Sequence, residues 1–514
     1  MTRKRATPNR ATPNRAVVSR SAALVFLLAL VVYLATTGGS MATDIMSYEV
    51  AKNMVEQGSV AMSYNLKVMD AHRGADGRYY SPYGIGHPLY GIPFYVAGKV
   101  AERVTGIGVG KPEALRKAFF VLGNAVAGAL TVWLTFLFAL RLGGSARAAT
   151  ATALTLAFAT LLWPYAKMGF NAPVAALALV WGTYCAWVGV RARRPAMLWW
   201  AGVGLGCAAL VRHELILATV PVGIFILMES RGNIRQTIRQ VIPVAVPVAA
   251  AIALTLCYNY VRFANPLDTG YLRDGTTTWG PLSTGLIGTF FSPGRALCLF
   301  SPVTLLSFPA LVGLWRRDRS TAVLLGGIFT TMVLFYASQL YWDADRCYGS
   351  RYMVPLLAFL CLPLVAWFDL PARSGLRRLL LAFVVVSVIV QAPGVLVDFS
   401  KVGYGPANAQ LNYGRRIWTW EGSGFTLNAK AAAALVPVNV RYLTGQDQPP
   451  PIQPGGARTQ TFSDQFAFSL DFWWLYLFYA RVIPAWLAVC AFASMLIVAA
   501  GLAGALRRQV GNAI

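Results

Sequence analysis

Apolar segments of membrane-spanning length recur along almost the whole chain, and they restrict the fold more than any other feature. A helix needs about 20 consecutive apolar residues to cross the hydrocarbon core of a bilayer. Only 13% of the 514 residues are charged and 56% are hydrophobic, whereas soluble chains carry about 25% charged residues. Because a backbone in lipid must satisfy its own hydrogen bonds, the segments are helices. The sequence predicts an all-α integral membrane protein.

The apolar segments predict a polytopic bundle of about 12 transmembrane helices. The first apolar run resembles the apolar region of a signal peptide, but the many later segments and the poor cleavage pattern at "TTGGSMA" favour an uncleaved span. The predicted spans are residues 21–37, 115–140, 147–164, 173–190, 196–211, 214–229, 240–260, 296–314, 321–340, 352–369, 377–397 and 483–506.

The placement of charge orients these spans. Basic residues collect in short loops at every second turn of the chain, as is typical of cytoplasmic loops. With the N-terminus inside, only three of the 20 carboxylates lie on the cytoplasmic side, namely Glu229, Asp318 and Asp369. The basic cytoplasmic groups are Arg141, Arg147, "RARR" (191–194), Arg231, Arg235, Arg239, "RRDR" (316–319), Arg373, Arg377, Arg378, Arg507 and Arg508. Polar chemistry is therefore expected on the non-cytoplasmic face.

Four regions follow from this topology. Residues 1–20 form a basic cytoplasmic tail, and residues 21–397 form the transmembrane core with an outer loop at 38–114. Residues 398–482 form a second outer loop, expected to be flexible around "TGQDQPPPIQPGGARTQ" and to end in an interfacial aromatic belt, "DFWWLYLFYARV". Residues 483–514 hold the last span and a cytoplasmic C-terminus. The formal charge of +25 is not accompanied by a basic patch interleaved with aromatics, so no nucleic-acid partner is expected.

Cysteines and carboxylates leave two questions open. Cys298 and Cys347 fall in or near loops on one predicted side, and a disulfide between them depends on whether that side is oxidising. The segment "DADR" (343–346) places Asp343 and Asp345 on one face of an extended strand, where they form either a divalent metal site or a solvated acidic loop. No cofactor is certain, and a divalent metal ion is the one candidate.

The first outer loop opens with an acid and a short helix. Apolar residues repeat at helical spacing from Asp44 onwards, and Gly58 suits the end of the helix. Asp44 at the start is either a simple N-cap or a functional carboxylate at the membrane edge. A helix from Asp44 to Gly58 is predicted, with a second, interfacial helix in "YGIGHPLYGIPFYVAGKVAERV".

This opening resembles the GT-C superfamily of polyprenyl-phosphate-sugar-dependent glycosyltransferases, which includes protein O-mannosyltransferases and lipid A aminoarabinose transferases. Four further segments resemble bacterial members: "GRYYSPYGIGHPLYGIPFY" (77–95), "YNYVRFANPLDTGY" (258–271), "FSPGRALCLFSPV" (291–303) and "CYGSRYMVP" (347–355). Many members carry Asp-Glu where this chain has Asp44-Ile45. The resemblance implies a GT-C fold whose first outer loop carries juxtamembrane helices, with Asp44 as catalytic base.

Sugar transfer from a lipid phosphate also needs cations on the phosphate, and the planar fork of arginine suits this role. Arg351 is the first candidate and Arg262 the second, with His87 as a further contact. Interfacial anchoring of both arginines is the alternative. Further outer candidates for the phosphate are Arg212, Arg295 and Arg346, with Arg212 expected to pair with Glu214 in "RHE". Tyr48, Tyr83 and Trp342 are expected to shape the substrate site, and an aromatic belt is the alternative for Tyr79, Tyr80, Tyr83, Trp279 and Trp342.

The leading hypothesis is an inverting glycosyltransferase of the cell inner (plasma) membrane. It would move a sugar from a polyprenyl-phosphate donor to a lipid, polysaccharide or protein acceptor on the periplasmic or exterior face. A transporter or lipid flippase is the alternative, because about 12 spans is a common transporter count; it would place charges in a mid-membrane cavity. A non-catalytic partner in envelope assembly is the third hypothesis. The distance from Asp44 to Arg351 would discriminate between them.

Overall fold

The computed structural model is an assembly of helices with one very short sheet. It describes residues 15–39, 45–62, 71–106, 113–274, 278–344, 347–402, 411–451 and 466–511. The first elements are α1 (Arg15–Thr36), α2 (Ile45–Gln57), β1 (His72–Arg73), β2 (Tyr79–Tyr80), α3 (Gly86–Thr105), α4 (Ala114–Arg141), α5 (Ala146–Phe158), α6 (Leu162–Ala166) and α7 (Ala172–Arg191).

The middle of the chain contains several broken helices. It comprises α8 (Pro195–Val211), a 3₁₀ helix (His213–Ala218), α9 (Thr219–Glu229), α10 (Ile234–Phe263), a 3₁₀ turn (Tyr271–Asp274), α11 (Leu282–Phe291), α12 (Leu297–Phe300), a 3₁₀ helix (Pro302–Leu306), α13 (Ser307–Arg317) and α14 (Arg319–Ala337).

The last part begins with a helix that changes pitch along its length. It comprises a 3₁₀ helix (Arg351–Leu356), α15 (Leu357–Cys361), a 3₁₀ turn (Leu362–Leu364), α16 (Val365–Phe368), α17 (Gly375–Leu396), α18 (Phe399–Val402), α19 (Tyr413–Trp418), α20 (Gly424–Leu443), α21 (Trp473–Tyr479) and α22 (Ala485–Gly511).

Eight helical segments in the described part of the chain are long and apolar enough to cross a bilayer: α1, α4, α7, α10, α14, Arg351–Phe368, α17 and α22. The other four predicted spans are also helical, but α8 is short and the rest are interrupted. Residues 147–164 divide into α5 and α6, residues 214–229 begin as a 3₁₀ helix, and residues 296–314 divide among α12, a 3₁₀ helix and α13. The polytopic helical fold is confirmed, and the count of 12 stays a prediction.

The short basic loops meet at one end of the bundle. Arg191, the last residue of α7, contacts both Asp318 and Glu229 with its Nη2 at 2.7 Å. The hydroxyl and backbone N–H of Ser145, before α5, both donate to Asp369 after α16. The three acids that the charge pattern assigned to the cytoplasmic side therefore pair with the loops assigned to the same side, as that topology requires.

The predicted first outer loop forms a small layer on the opposite end. The α2 helix ends before Gly58, whose φ of +62° lies in the left-handed region that glycine adopts without strain. The strands β1 and β2 pair antiparallel, with His72 opposite Tyr80. Both juxtamembrane helices, α2 and α3, form where the sequence predicted helices.

The second outer loop is more structured than predicted. Within residues 398–482 the chain forms α18, α19, α20 and α21, while most of the Pro/Gly/Gln-rich stretch lies outside the described residues. The aromatic segment is also not a surface belt, because Trp474, Tyr476 and Tyr479 are buried. The indole nitrogens of Trp473 and Trp474 donate to the carbonyls of Leu34 and Ala35 at the end of α1. The segment instead packs into the protein as a short helix.

Candidate functional site

Buried charge lies at the end of the bundle that carries α2 and α3. Three contacts connect distant segments of the chain at this end of the bundle. Arg262 donates to the carbonyl of Ser81, and Lys167 binds Asp471. The Tyr165 hydroxyl donates to the carbonyl of Tyr348. Within the described ranges, the buried charged side chains are Glu49, Lys167, Arg212, Arg262, Arg295, Asp343, Asp398 and Asp471. Because burying charge is unfavourable without a counter-charge or a ligand, this end is the candidate site.

Two arginines from distant segments meet at one tyrosine ring. The Arg351 and Arg212 guanidinium carbons lie 5.8 Å and 5.6 Å from the centroid of the Tyr352 ring. Tyr352 itself stacks on Tyr336, with centroids 4.5 Å apart and planes at 6°. The stacked ring therefore holds the two cations at a shared position, where they repel each other unless an anion lies between or beside them.

Both guanidinium groups retain N–H donors without a partner. Arg212 Nε donates to Asn171 Oδ1 at 3.0 Å, but Arg212 Nη1 and Arg351 Nε are buried and meet no acceptor in the described part of the chain. Arg351 otherwise faces the Phe170 ring, 5.4 Å from its centroid. Buried donors are rarely left unpaired in native proteins, so an anionic ligand is the natural partner for this pair.

Arg212 does not form the ion pair that the sequence predicted. Glu214 accepts a hydrogen bond from the Tyr336 hydroxyl at 2.9 Å, while Arg212 binds Asn171. The 3₁₀ geometry of residues 213–218 follows directly after Arg212, and the side chains of Arg212 and Glu214 both lie near Tyr336. Arg212 and Glu214 make no direct ion-pair contact in the described part of the chain, but Glu214 acts electrostatically on Arg212. Arg212 instead joins Arg351, which the sequence had ranked ahead of it.

The start of α3 brings His87 close to these cations. A Cβ on Gly86 would lie 2.6 Å from the backbone nitrogen of Val211, so only glycine permits α3 to approach the end of α8 this closely. His87 is buried against Phe120, with ring centroids 5.3 Å apart. Burial lowers the pKa of His87 to about 4, with Asn124 and Arg212 as smaller influences. His87 is therefore a neutral imidazole at pH 7, which restricts it to hydrogen bonding rather than charge pairing.

Arg262 is already used by the protein. Its side chain is fully buried; Nη1 donates to the carbonyl of Ser81 and Nη2 donates to Asn259 Oδ1 at 2.6 Å. Its guanidinium carbon lies 3.9 Å from the centroid of the Tyr258 ring. These contacts fasten the end of α10 to the loop between β2 and α3. Arg262 Nε is buried without an acceptor in the described part of the chain, as Arg351 Nε is. Its two other guanidinium nitrogens both donate to protein groups, and this favours a structural role for Arg262 over the predicted contact with a donor phosphate.

Tyr48 belongs to the core beneath α2. Its side chain is fully buried and packs edge-on against Tyr95 and Phe120, with centroids 5.7 Å away in each case. Glu56 on the same helix accepts from the Tyr95 hydroxyl at 2.7 Å and from Lys99 at 2.9 Å. Because Tyr48 is buried, it packs beneath α2 and does not form part of the open substrate surface that the sequence had predicted.

Tyr83 and Trp342 occupy different positions. Tyr83 packs edge-on against Tyr271, 6.0 Å away, and its phenol acts electrostatically on Arg351. Trp342 is buried, and a Cβ on Gly288 would overlap its ring. Tyr83 is therefore next to the arginine pair, whereas Trp342 packs against α11.

Asp343 is engaged with protein groups. Its Oδ1 accepts from the Tyr413 hydroxyl, and its Oδ2 lies 3.8 Å from Arg295 Nε. No group of three or more His, Cys, Asp or Glu that could hold a metal ion occurs among the residues described. The other predicted ligand, Asp345, lies outside them, as do Arg346 and the predicted base Asp44. Cys298 and Cys347 are free thiols, so the structure contains no disulfide between them.

The sequence reasoning missed the buried pair of Lys167 and Asp471. Lys167 lies just after α6 and Asp471 just before α21, and Lys167 Nζ is 2.8 Å from Asp471 Oδ2. Asp471 Oδ1 also accepts from the Tyr476 hydroxyl at 2.6 Å and from Gly39 N–H at 3.0 Å. A lysine directly after a predicted span and an acid opening an aromatic run were the available signals, but nothing in the sequence paired them.

The fold and site define a polytopic helical membrane protein with a cation-rich site at one end of its bundle. Residues 84–260 match the family of dolichyl-phosphate-mannose-protein mannosyltransferases. The fold is similar to that of ArnT from Cupriavidus metallidurans bound to undecaprenyl phosphate, with a TM-score of 0.51, 16% identity, and 96% of this chain and 77% of ArnT covered. For ArnT in the apo state the TM-score is 0.50, with the same identity and coverage.

A weaker similarity relates 87% of this chain to 59% of the oligosaccharyltransferase AglB from Archaeoglobus fulgidus, with a TM-score of 0.44 and 11% identity. Comparison with curated protein sequences gives no significant match. The family match and the ArnT-like fold confirm the resemblance to the GT-C superfamily. Residues 84–260, which contain His87 and Arg212, are the part of the chain that matches the mannosyltransferase family model.

Proposed function

We propose that this protein transfers a sugar from a polyprenyl-phosphate-linked donor to a lipid, polysaccharide or protein acceptor on the non-cytoplasmic face of the membrane. The observation that carries the proposal is the pair of Arg351 and Arg212, whose buried guanidinium nitrogens lack acceptors around one tyrosine ring. A phosphate at the membrane edge would supply those acceptors. The family match and the binding of undecaprenyl phosphate by ArnT support this choice of ligand.

In this reaction Arg351 and Arg212 hold the donor phosphate and stabilise it as it leaves. The acceptor oxygen attacks the anomeric carbon, the bond from that carbon to the phosphate oxygen breaks, and the phosphate keeps the electron pair. Attack from the face opposite the phosphate inverts the anomeric configuration. Two fixed guanidinium groups in a dry site favour the charge that develops on the leaving oxygen. Asp44, at the opening of the first outer loop, accepts the proton of the acceptor.

The alternative function, transport or lipid flipping, is less well supported by the distribution of charge. A transporter places its ionisable residues in a cavity near mid-membrane. In the described parts of this chain the buried charged residues gather at one end of the bundle instead. A site at one end suits a reaction between a lipid-borne donor and an acceptor that arrives from one aqueous side.

Donor recognition is tested by binding undecaprenyl phosphate to the full chain in lipid nanodiscs. We expect Arg351→Gln and Arg212→Gln each to weaken binding about ten-fold or more, because each removes a charge-assisted hydrogen bond. Arg441→Gln is the matched control, since Arg441 is half-exposed and pairs only with Asp447 in the described structure. Unchanged binding in both site variants would refute the proposed phosphate site.

The base and the orientation need separate tests. Asp44→Asn should keep undecaprenyl phosphate binding but abolish transfer, and full transfer activity in this variant would remove Asp44 from the mechanism. Gln57 is exposed on α2, so a Gln57→Cys variant should react with a membrane-impermeant maleimide from the exterior. Labelling only after the membrane is opened would place the site on the cytoplasmic side.

A further inference from the structure

An acid, Glu214, lies beside the two arginines of the candidate site. It follows Arg212 by two positions, where α8 ends and the 3₁₀ helix of residues 213–218 begins. Its side chain is half-buried, and no step of the proposed reaction uses it. A carboxylate close to a site for an anion weakens binding of that anion by repulsion. Glu214 therefore has an effect on any phosphate that the arginines hold.

Tyr336 fixes the position of this carboxylate. The Tyr336 hydroxyl donates to Glu214 Oε1 at 2.9 Å, and the Tyr336 ring is buried. The same ring stacks on Tyr352, with centroids 4.5 Å apart and planes at 6°. Arg212 and Arg351 both lie against Tyr352. One pair of stacked rings thus holds a carboxylate and two guanidinium groups in a fixed arrangement.

The carboxylate acts on this arrangement through its charge. Glu214 acts electrostatically on both Arg212 and Tyr352, although it makes no direct ion pair with Arg212 in the described part of the chain. Asp343 also acts on Tyr352, but Arg295 lies 3.8 Å from Asp343 as a local counter-charge. Glu214 therefore lowers the positive potential of the arginine pair, whereas the charge of Asp343 is offset where it lies.

The size of this potential matters because lipid carriers of sugars differ in charge. A phosphate that joins a lipid to a sugar carries one negative charge, and a pyrophosphate in the same position carries two. Two guanidinium groups and one carboxylate together have one positive charge, which matches the single phosphate. An additional phosphate group would be repelled by Glu214 and would gain no further cation from the pair.

We propose that Glu214 restricts the arginine site to lipids that carry a single phosphate and disfavours those that carry a pyrophosphate. The inference rests on the proposed function, because it assigns a role to an acid beside the proposed donor phosphate. Glu214 acts by repulsion, while its Oε1 atom is bonded to Tyr336. Repulsion of a competing ligand is a general source of specificity, in addition to attraction of the correct one.

The test compares binding of undecaprenyl phosphate and undecaprenyl pyrophosphate to the full chain in lipid nanodiscs. We expect the unaltered protein to bind the phosphate more tightly. Glu214→Gln removes the charge but keeps an oxygen that accepts from the Tyr336 hydroxyl. This variant should raise the affinity for the pyrophosphate about ten-fold relative to the affinity for the phosphate, because the repulsion of the additional charge is lost.

Two variants separate the charge of Glu214 from a structural role. Glu214→Asp keeps the charge and should keep the preference for the phosphate. Glu421→Gln removes a negative charge from an exposed acid that pairs with Arg415, so the ratio of the two affinities should not change. A purely structural role for Glu214 would instead weaken binding of both lipids by the same factor. Thermal unfolding shows whether each variant is folded.

The outcomes for Glu214 and for the phosphate site are distinguishable. A constant ratio of affinities in folded Glu214→Gln, or a preference of the unaltered protein for the pyrophosphate, overturns the role of Glu214 and leaves the phosphate site intact. Arg351→Gln should weaken binding of both lipids. If the unaltered protein binds neither lipid, the phosphate site and the role of Glu214 are both refuted.

Discussion

Lys167 Nζ and Asp471 Oδ2 lie 2.8 Å apart in the protein interior, joining segments more than 300 residues apart in sequence. The same pair holds the end of α1. Gly38 N–H donates to the carbonyl of Lys167 at 2.9 Å, and Gly39 N–H donates to Asp471. Burial opposes ionisation of Asp471, but Lys167 keeps the pKa of that carboxyl below its usual range. The pair therefore anchors the chain where the first outer loop begins.

Breaking this pair on one side should be strongly destabilising. Asp471→Asn leaves the Lys167 ammonium buried without its counter-charge, and we expect a loss of about 3–5 kcal/mol in the free energy of unfolding. Lys167→Met should have a loss of similar size. The loss in the double variant, Asp471→Asn with Lys167→Met, should be much smaller than the sum of the two single losses in the free energy of unfolding, because no uncompensated charge remains. Thermal unfolding in detergent of all four proteins measures this coupling, and additive losses would contradict it.

Gly38 is the second test of the same anchor. A Cβ at this position would lie 2.1 Å from Asp471 Oδ2, so Gly38→Ala must displace the carboxylate from Lys167. We expect a loss of about 1–3 kcal/mol, as for other overpacked interiors. Gly223→Ala in α9 is the control, since nothing lies within 4 Å of its added Cβ. If Gly38→Ala and Gly223→Ala unfold at the same temperature, the close approach of Gly38 to Asp471 is not needed for stability.

His87 should make the protein sensitive to acid. The folded chain resists protonation of this imidazole, because burial lowers its pKa to about 4 from an ordinary value of 6.5. Between these values the unfolded chain binds the proton and the folded chain does not, so stability falls as the pH drops from 6.5 towards 4. At pH 5 the lowered pKa of His87 reduces the free energy of unfolding by about 2 kcal/mol relative to neutral pH. The unfolding temperature of His87→Asn should therefore fall less between pH 7.5 and pH 5 than that of the unaltered protein.

Substitutions of Arg262 and Arg351 should have different effects: the first should lower stability and the second should weaken binding of undecaprenyl phosphate. Arg262→Met removes the donors to Ser81 and Asn259, and we expect it to lower the free energy of unfolding by about 2–4 kcal/mol. At a temperature where the variant is folded, it should still bind undecaprenyl phosphate. Arg351→Gln should show the opposite behaviour, with weak binding and little change in unfolding temperature. Loss of binding in folded Arg262→Met would return Arg262 to the phosphate site.

Local features of the fold were predictable because the bilayer imposes them along the chain. Hydropathy and basic loops located every described helix that is long and apolar enough to cross a bilayer, and the pairing of Arg191 with Asp318 agrees with the predicted sidedness of the loops. The spacing of apolar residues and Gly58 predicted α2 within one residue at each end. Such signals depend only on neighbouring residues and on the solvent around them. The extent of helix in residues 398–482 was missed because packing against α1, rather than local periodicity, stabilises α21.

The sequence by itself determined the helical membrane fold, the alternation of basic and acidic loops, and the identity of Arg351 as a candidate. Only the tertiary structure decided that Arg212 joins Arg351 at Tyr352, that Arg262 is occupied by Ser81 and Asn259, and that Lys167 finds Asp471. The physical reason is that the energy of a buried charge depends on which groups helix packing places within a few ångströms of it. That information is distributed over segments hundreds of residues apart, and no local pattern contains it.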